Sequence, residues 1–315
     1  MHGWRDLQQT KKVMKVTPRW LPLALAVATL IVSQQQGSSI VGYANVVFLP
    51  GYNLVSSPLN NVNNNVTNVI QTRGESTSVF LWNVPSQSFA FSASYDPDFD
   101  EWDNDFDLPP GKGFMVFVMS KRTNTFVGEV LQGSLSNFVA GGNNFSLLGS
   151  KAPVPGQLSA NLQYSATDGE NAYLFDNTDQ AYSDAYTFFD AFGWFDSSSS
   201  MAAEPSLSLG QAFFVQNPGA NKYWVQHFMA QFTAQQERVL TGSKPAKLST
   251  AIIQKIAVDD ATIILDISNS KGVAYNVQFS TDGFSWKTIA TKQHGSVWKG
   301  RYLGGAEGYY QLTQP

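Results

Sequence analysis

Asn53-Leu54-Val55-Ser56-Ser57 and Ser146-Leu147-Leu148-Gly149-Ser150 decide the fold, because they align 93 positions apart. Val79-Phe80-Leu81-Trp82-Asn83 aligns with Ala172-Tyr173-Leu174-Phe175-Asp176 at the same spacing. A third block, Leu108–Val116, matches Leu207–Val215 at a spacing of 99. Three blocks in one order at nearly one spacing read as a tandem duplication, with a first repeat at 41–133 and a second at 134–232.

Each unit reads as mostly strand. Short runs of β-branched and aromatic residues (Asn45–Leu49, Leu54–Ser57, Val79–Trp82, Gly113–Met119 and Thr125–Val130 in the first) are bounded by Gly, Pro, Asn and Asp. Pro50-Gly51-Tyr52-Asn53 supplies turn chemistry between the first two runs. Val66 and Ile70, and Leu158 and Leu162, are each four apart, which predicts one short helix per unit. The expected fold class is therefore mainly β: two tandem β-sandwich or barrel-like repeats, each with one short helix, followed by a small C-terminal β-sandwich.

G-x-N-L-V-x-x-P at Gly51–Pro58, Phe80-Leu81-Trp82-Asn83 and L-x-x-G-x-G-F-x-V at Leu108–Val116 resemble a β-repeat of secreted and surface proteins of environmental bacteria. The second copy departs from it, since Asn144 replaces the glycine and Lys151 the proline. The resemblance covers roughly residues 41–230, implies an extracellular protein and brings no catalytic residues with it.

After a Gly/Ser/Lys/Pro linker at 233–248, residues 249–315 read as further short strands. Tyr275-x-Val277-Gln278-x-Ser280-x-Asp282-Gly283-x-x-Trp286-x-x-Ile289, followed by Tyr309-Tyr310-Gln311-Leu312, resembles the fibronectin type III-like modules that end many secreted bacterial proteins. The likeness implies a hairpin turn at Ser280–Gly283 and a core closed by Trp286. About seventy residues is short for such a sandwich, so a strand is expected to be missing or lent by the linker.

The N-terminus bears on destination. Arg5, Lys11, Lys12, Lys15 and Arg19 precede the apolar run Trp20–Val32, after which the chain turns polar. That layout predicts a signal peptide over residues 1–33 and a secreted or cell-surface protein, with an uncleaved anchor as the alternative. A span of the membrane needs about 20 apolar residues, and no stretch of the remaining chain approaches that. Residues 34–243 carry 7 basic and 18 acidic residues, whereas 244–315 carry 8 and 5. An acidic chain without a basic stripe argues against nucleic acid as a partner. The chain has no cysteine, which excludes disulfides and thiol chemistry.

Asp96-Pro97-Asp98-Phe99-Asp100-Glu101-Trp102-Asp103-Asn104-Asp105-Phe106-Asp107 is the loudest segment chemically, with seven carboxylates in twelve positions. Hard oxygen ligands at alternating places suit Ca²⁺, which makes Asp96, Asp98, Asp100, Asp103, Asp105 and Asp107 candidate ligands. Glu101 stands where an EF-hand needs glycine, and a solvated acidic loop is the alternative. Trp102 and Trp194 are candidate platforms for stacking on sugar rings, with core packing as the competing fate. No G-x-S-x-G, H-E-x-x-H, phosphate-binding or dinucleotide-binding glycine motif occurs. The expected function is non-enzymatic binding or scaffolding of an extracellular glycan or surface protein. A secreted carbohydrate-active hydrolase using the 96–107 carboxylates is the alternative.

Overall fold

A computed structural model describes residues 40–230, 251–259, 261–269, 272–302 and 305–315. The expected signal segment at 1–33 and linker at 233–248 lie outside the described residues. The described chain from residue 40 onward is one mainly β unit. No helix among its described residues is long and apolar enough to cross a membrane.

The first repeat consists of β1 (Val41–Phe48), β2 (Gly51–Ser56), α1 (Val66–Val69), β3 (Thr77–Asn83), β4 (Ser88–Asp96), β5 (Glu101–Trp102), β6 (Gly113–Val118) and β7 (Arg122–Glu129). Five of these strands form a sheet in the order β2-β6-β3-β4-β5, and β1 pairs β7 in a second layer. Alternation puts Val79 and Leu81 of β3, Phe114, Val116 and Val118 of β6, and Ala44, Phe48 and Phe126 of the facing layer into one core. The β1–β2 turn needs Gly51, whose φ of +98° is strained for any side chain. Asn53 fastens that turn, accepting from Leu49 N and donating to Leu49 O, each at 2.8 Å. The helix is a single turn that buries Val66 and Val69.

The second repeat runs β8 (Gly133–Val139), β9 (Asn144–Gly149), β10 (Gly156–Gln157), β11 (Asn171–Asp176), β12 (Ala181–Tyr182), β13 (Tyr186–Phe189), β14 (Gly193–Asp196), β15 (Met201–Ala202), β16 (Ser206–Leu207), β17 (Ala212–Asn217) and β18 (Lys222–Phe228). Its main sheet has the order β9-β17-β11-β13-β14-β15, and β8 pairs β18 alone. The pairings parallel those of the first repeat: Leu54 faces Met115 across β2–β6, and Leu147 faces Phe214 across β9–β17. The second helix expected at Leu158–Leu162 is replaced by hydrogen-bonded turns. Asn161 Oδ1 accepts from Gln157 N at 3.0 Å, so a side chain competes for backbone that a helix would use. Leu158 and Leu162 still reach the core, beside Trp224, Tyr164 and Phe213. Glu170 is fully buried there and pairs with Lys222 at 2.5 Å.

The two repeats meet through contacts that come in reciprocal pairs. Val55 bridges Gln211, and Leu148, the residue 93 positions after Val55, bridges Lys112. Ser56 N donates to Gly210 O at 2.9 Å, and Gly149 N donates to Gly111 O at 3.0 Å. Gln180 Oε1 accepts from Tyr52 N at 2.6 Å, while Gln87 Oε1 accepts from Phe145 N at 2.7 Å. Both glutamines are held at positive φ, 50° and 53°, and each also donates to a carbonyl three residues back. Such self-matching contacts are the pattern of a two-fold axis. Leu54, Met115, Leu147, Phe175 and Phe214 bury one another between the sheets, with Trp82 edge-on to Phe214 at 4.8 Å.

The C-terminal strands are β19 (Ile252–Asp259), β20 (Thr262–Ser268), β21 (Tyr275–Ser280), β22 (Lys287–Gln293), β23 (Val297–Arg301) and β24 (Glu307–Thr313). One sheet is β19-β20-β23; the other continues β22-β21-β24-β1-β7. The strand this short module needs is thus lent by β1. A boundary that assigns 41–133 and 249–315 to separate bodies cuts through this shared sheet. The Ser280–Gly283 turn forms as expected. Asp282 Oδ1 accepts from Phe284 N and Ser285 N, and those bonds pull its carboxyl down to about 2. Trp286 does not close the module's own core, which is built from Ile263, Leu265, Tyr275, Val277 and Tyr310. It packs instead toward the first repeat's core.

Two predictions follow from these seams. Replacing Gln87 or Gln180 by alanine removes an acceptor from a backbone N–H at the repeat interface, at about 1 kcal/mol each. Because the two clamps share no hydrogen-bond partner, denaturant unfolding of the double variant should show nearly additive losses; no loss in either single variant would remove the clamp from the account.

The second concerns Glu307, whose carboxyl is raised from its ordinary 4.5, first by burial and also by Asp282, against a lowering hydrogen bond from Tyr309. The native state therefore holds a proton that the unfolded chain has released between pH 4.5 and the raised value. Stability must fall as pH climbs through that window. Glu307→Gln keeps the acceptor and removes the charge, so its melting temperature should exceed that of the wild type at pH 7 and match it below pH 4.5. A lower melting temperature at pH 7 would contradict this reading.

Candidate functional site

The acidic segment forms the β4–β5 hairpin and the chain that leaves it. Its turn reverses at Asp100, at a φ of 54°, between the pairs Asp96–Glu101 and Tyr95–Trp102. The second repeat builds the same feature from β13 and β14. There Gly193, with φ 80°, takes the reversing place beside the pair Phe189–Gly193. The reversal falls where aspartate and glycine, both tolerant of positive φ, occur in the sequence.

The carboxylates are spread out by bonds of their own. Asp96 Oδ1 accepts from Asp98 N at 2.9 Å, and Asp100 Oδ1 accepts from the Tyr95 hydroxyl. That bond is the main reason the Tyr95 phenol is raised. Asp103 Oδ1 accepts from Ser94 N at 2.7 Å, and Asp105 binds Asn65 Nδ2 at 2.8 Å together with the hydroxyl and N–H of Thr67. Asp103 thus fastens β4, and Asp105 fastens the start of α1. Asp107 bridges Asn65 through the backbone and raises Lys112, whose ammonium is lowered more strongly by burial. Among the described residues no three His, Asp or Glu side chains converge as a metal site. Four of the six candidate ligands, Asp96, Asp100, Asp103 and Asp105, are engaged in hydrogen bonds with the rest of the chain.

The two tryptophans occupy matching places and both face inward. Trp194 is 5% exposed, pairs across the hairpin with Phe188, and donates from Nε1 to Ser159 Oγ at 2.9 Å. Trp102 is half-buried against the first core and lies 5.7 Å from Tyr95. Trp194 as an exposed platform is thus corrected: its rings are needed by the core beneath the hairpin.

What the hairpins do expose was missed in sequence. Phe99 is 75% exposed and Phe192, 93 positions later, is 74% exposed, each at its hairpin tip. Phe192 leans on Phe195 at 6.2 Å, and Phe195 on Phe189 at 5.8 Å, making a small aromatic cap. Asp190 N is tied to Asp168 at 3.1 Å beside it. The shared spacing of 93 was the available signal, because it applies to Phe99 and Phe192 as it does to the strands. The site therefore offers an apolar ring amid carboxylates, twice. Comparison with protein-family models, curated proteins and solved structures found no match to this chain.

Proposed function

We propose that this chain is an exported, non-enzymatic protein that works at or outside the cell surface, binding an extracellular glycan through its two hairpin tips. The carrying observation is the pair Phe99 and Phe192, each about three-quarters exposed at positions 93 apart. An exposed aromatic face stacks on the apolar face of a sugar ring, and neighbouring carboxylates accept its hydroxyl hydrogens. A duplicated unit supplies the same contact twice, so weak single contacts combine. The matching strand order of the two segments supports the duplication, and the basic-then-apolar N-terminus supports export. The shared β1 suits a scaffold, since it ties the first repeat and the C-terminal strands into one sheet.

Retention on a broad glycan array should fall about tenfold or more for Phe99→Ala and for Phe192→Ala, with melting unchanged because both rings are exposed. Undiminished retention in the double variant, or release of cleaved product, would overturn the proposal. Calcium is not required in this reading. Melting should coincide in millimolar calcium and in chelator, whereas a calcium-dependent rise that Asp98→Asn abolishes would show that the hairpin rearranges to take the ion.

A further inference from the structure

The strand pair β1–β7 of the first repeat and the pair β8–β18 of the second have been treated differently by the rest of the chain. On β1–β7 the outward positions Val41, Tyr43 and Val127 are covered. They join the core of the C-terminal module, whose β19 packs against β7 and β1. On β8–β18 the corresponding outward positions are Ser134, Ser136 and Phe138, facing His227, Val225 and Tyr223 across the ladder. All six are exposed, Tyr223 by 63% and Phe138 by 46%, and those two rings touch at 5.7 Å. No described strand other than β18 pairs with β8.

The composition of this face narrows what can cover it. None of its six outward side chains carries a carboxylate, ammonium or guanidinium, although the repeats around it carry 17 acids. A partner recognised by charge would need charge here. A second identical face needs its absence, because like charges would meet across the two-fold. The edge of β8 is less inviting than its face: Lys151 Nζ donates to Ser136 O at 2.6 Å, and a lysine at an edge opposes strand addition. Sheet-on-sheet packing is left, and this chain already uses it on the equivalent face of the first repeat.

We propose that the β8–β18 face is a self-association surface on which a second copy of this chain packs face to face, with Phe138, Val225 and Tyr223 as its apolar centre. The glycan-binding tips are on other strands, so either reading can fail alone.

Sedimentation equilibrium of the full mature chain should show a concentration-dependent dimer. Tyr223→Asp and Phe138→Asp each introduce like charges at the centre and should weaken it by about 30-fold or more. Ser136→Lys replaces a small exposed side chain and serves as a milder variant should either aromatic change disturb folding; it too should shift the equilibrium toward monomer. Phe99→Ala should leave the dimer intact. A wild type that stays monomeric at every concentration overturns the proposal, whether the face is then bare or covered by the chain itself. A dimer that persists in a folded Ser136→Lys variant overturns it equally, by placing the contact elsewhere.

Discussion

β1 joins the first repeat to the C-terminal strands, because it is hydrogen-bonded along both edges and sends side chains into two cores. Val41–Ala44 pair with β24 on one side, while the whole of Val41–Phe48 pairs with β7 on the other. Ala44 and Phe48 enter the first repeat's core, and Val41 and Tyr43 enter the C-terminal core. Burying a large apolar side chain is worth about 1.5–3 kcal/mol, so a strand that buries residues into two cores couples the stability of both. Gly42 shows how close the fit is. A Cβ there would lie 2.7 Å from Gly308 O, on the β24 strand. The first described residues and the last are therefore neighbours in one sheet, which explains why the C-terminal module can be complete with so few strands of its own.

The second organising contact is the reciprocal seam between the repeats. Its reciprocal hydrogen bonds join backbone to backbone or glutamine to backbone, so they demand geometry more than composition. The aromatic layer beneath supplies the apolar area, and the glutamines fix how the sheets slide against one another. Neither repeat has to be identical for this to work. Trp82 in the first repeat stands where Phe175 stands in the second, and its Nε1 donates to Phe145 O at 3.0 Å without a counterpart across the seam.

Much of the fold could be read from spacing alone. The blocks 93 and 99 apart are strands that pair in the same order in both halves, and Gly51-x-Asn53 marks a turn whose mechanism the structure displays. Three things were not legible. The lent strand is a contact between residues some 270 positions apart, and local pattern carries no record of such a partner. The second helix has the right leucine spacing, but Asn161 redirects the backbone. Seven carboxylates in twelve positions suggest a shared cation, but sequence does not show which donors they meet. In the hairpin, Asp96, Asp100, Asp103 and Asp105 each accept from a donor of the chain itself. The inward tryptophans fail for a related reason: sequence gives a ring's place on a strand, but the covering layer decides which face is wet.

Differences between the two segments read as repeats track what covers them. Some inward positions hold a large apolar ring in both, as at Phe126 of β7 and Trp224 of β18, because each fills a sandwich interior. Outward positions follow the neighbour instead. Val41 and Tyr43 lie under the C-terminal module, and the matching Ser134 and Ser136 lie under no described strand. A residue that only needed to be soluble could become serine at each outward place. That Phe138, Tyr223 and Val225 remain large and apolar on this uncovered face is what distinguishes it from ordinary solvated sheet, where single apolar residues are common but contiguous ones are not.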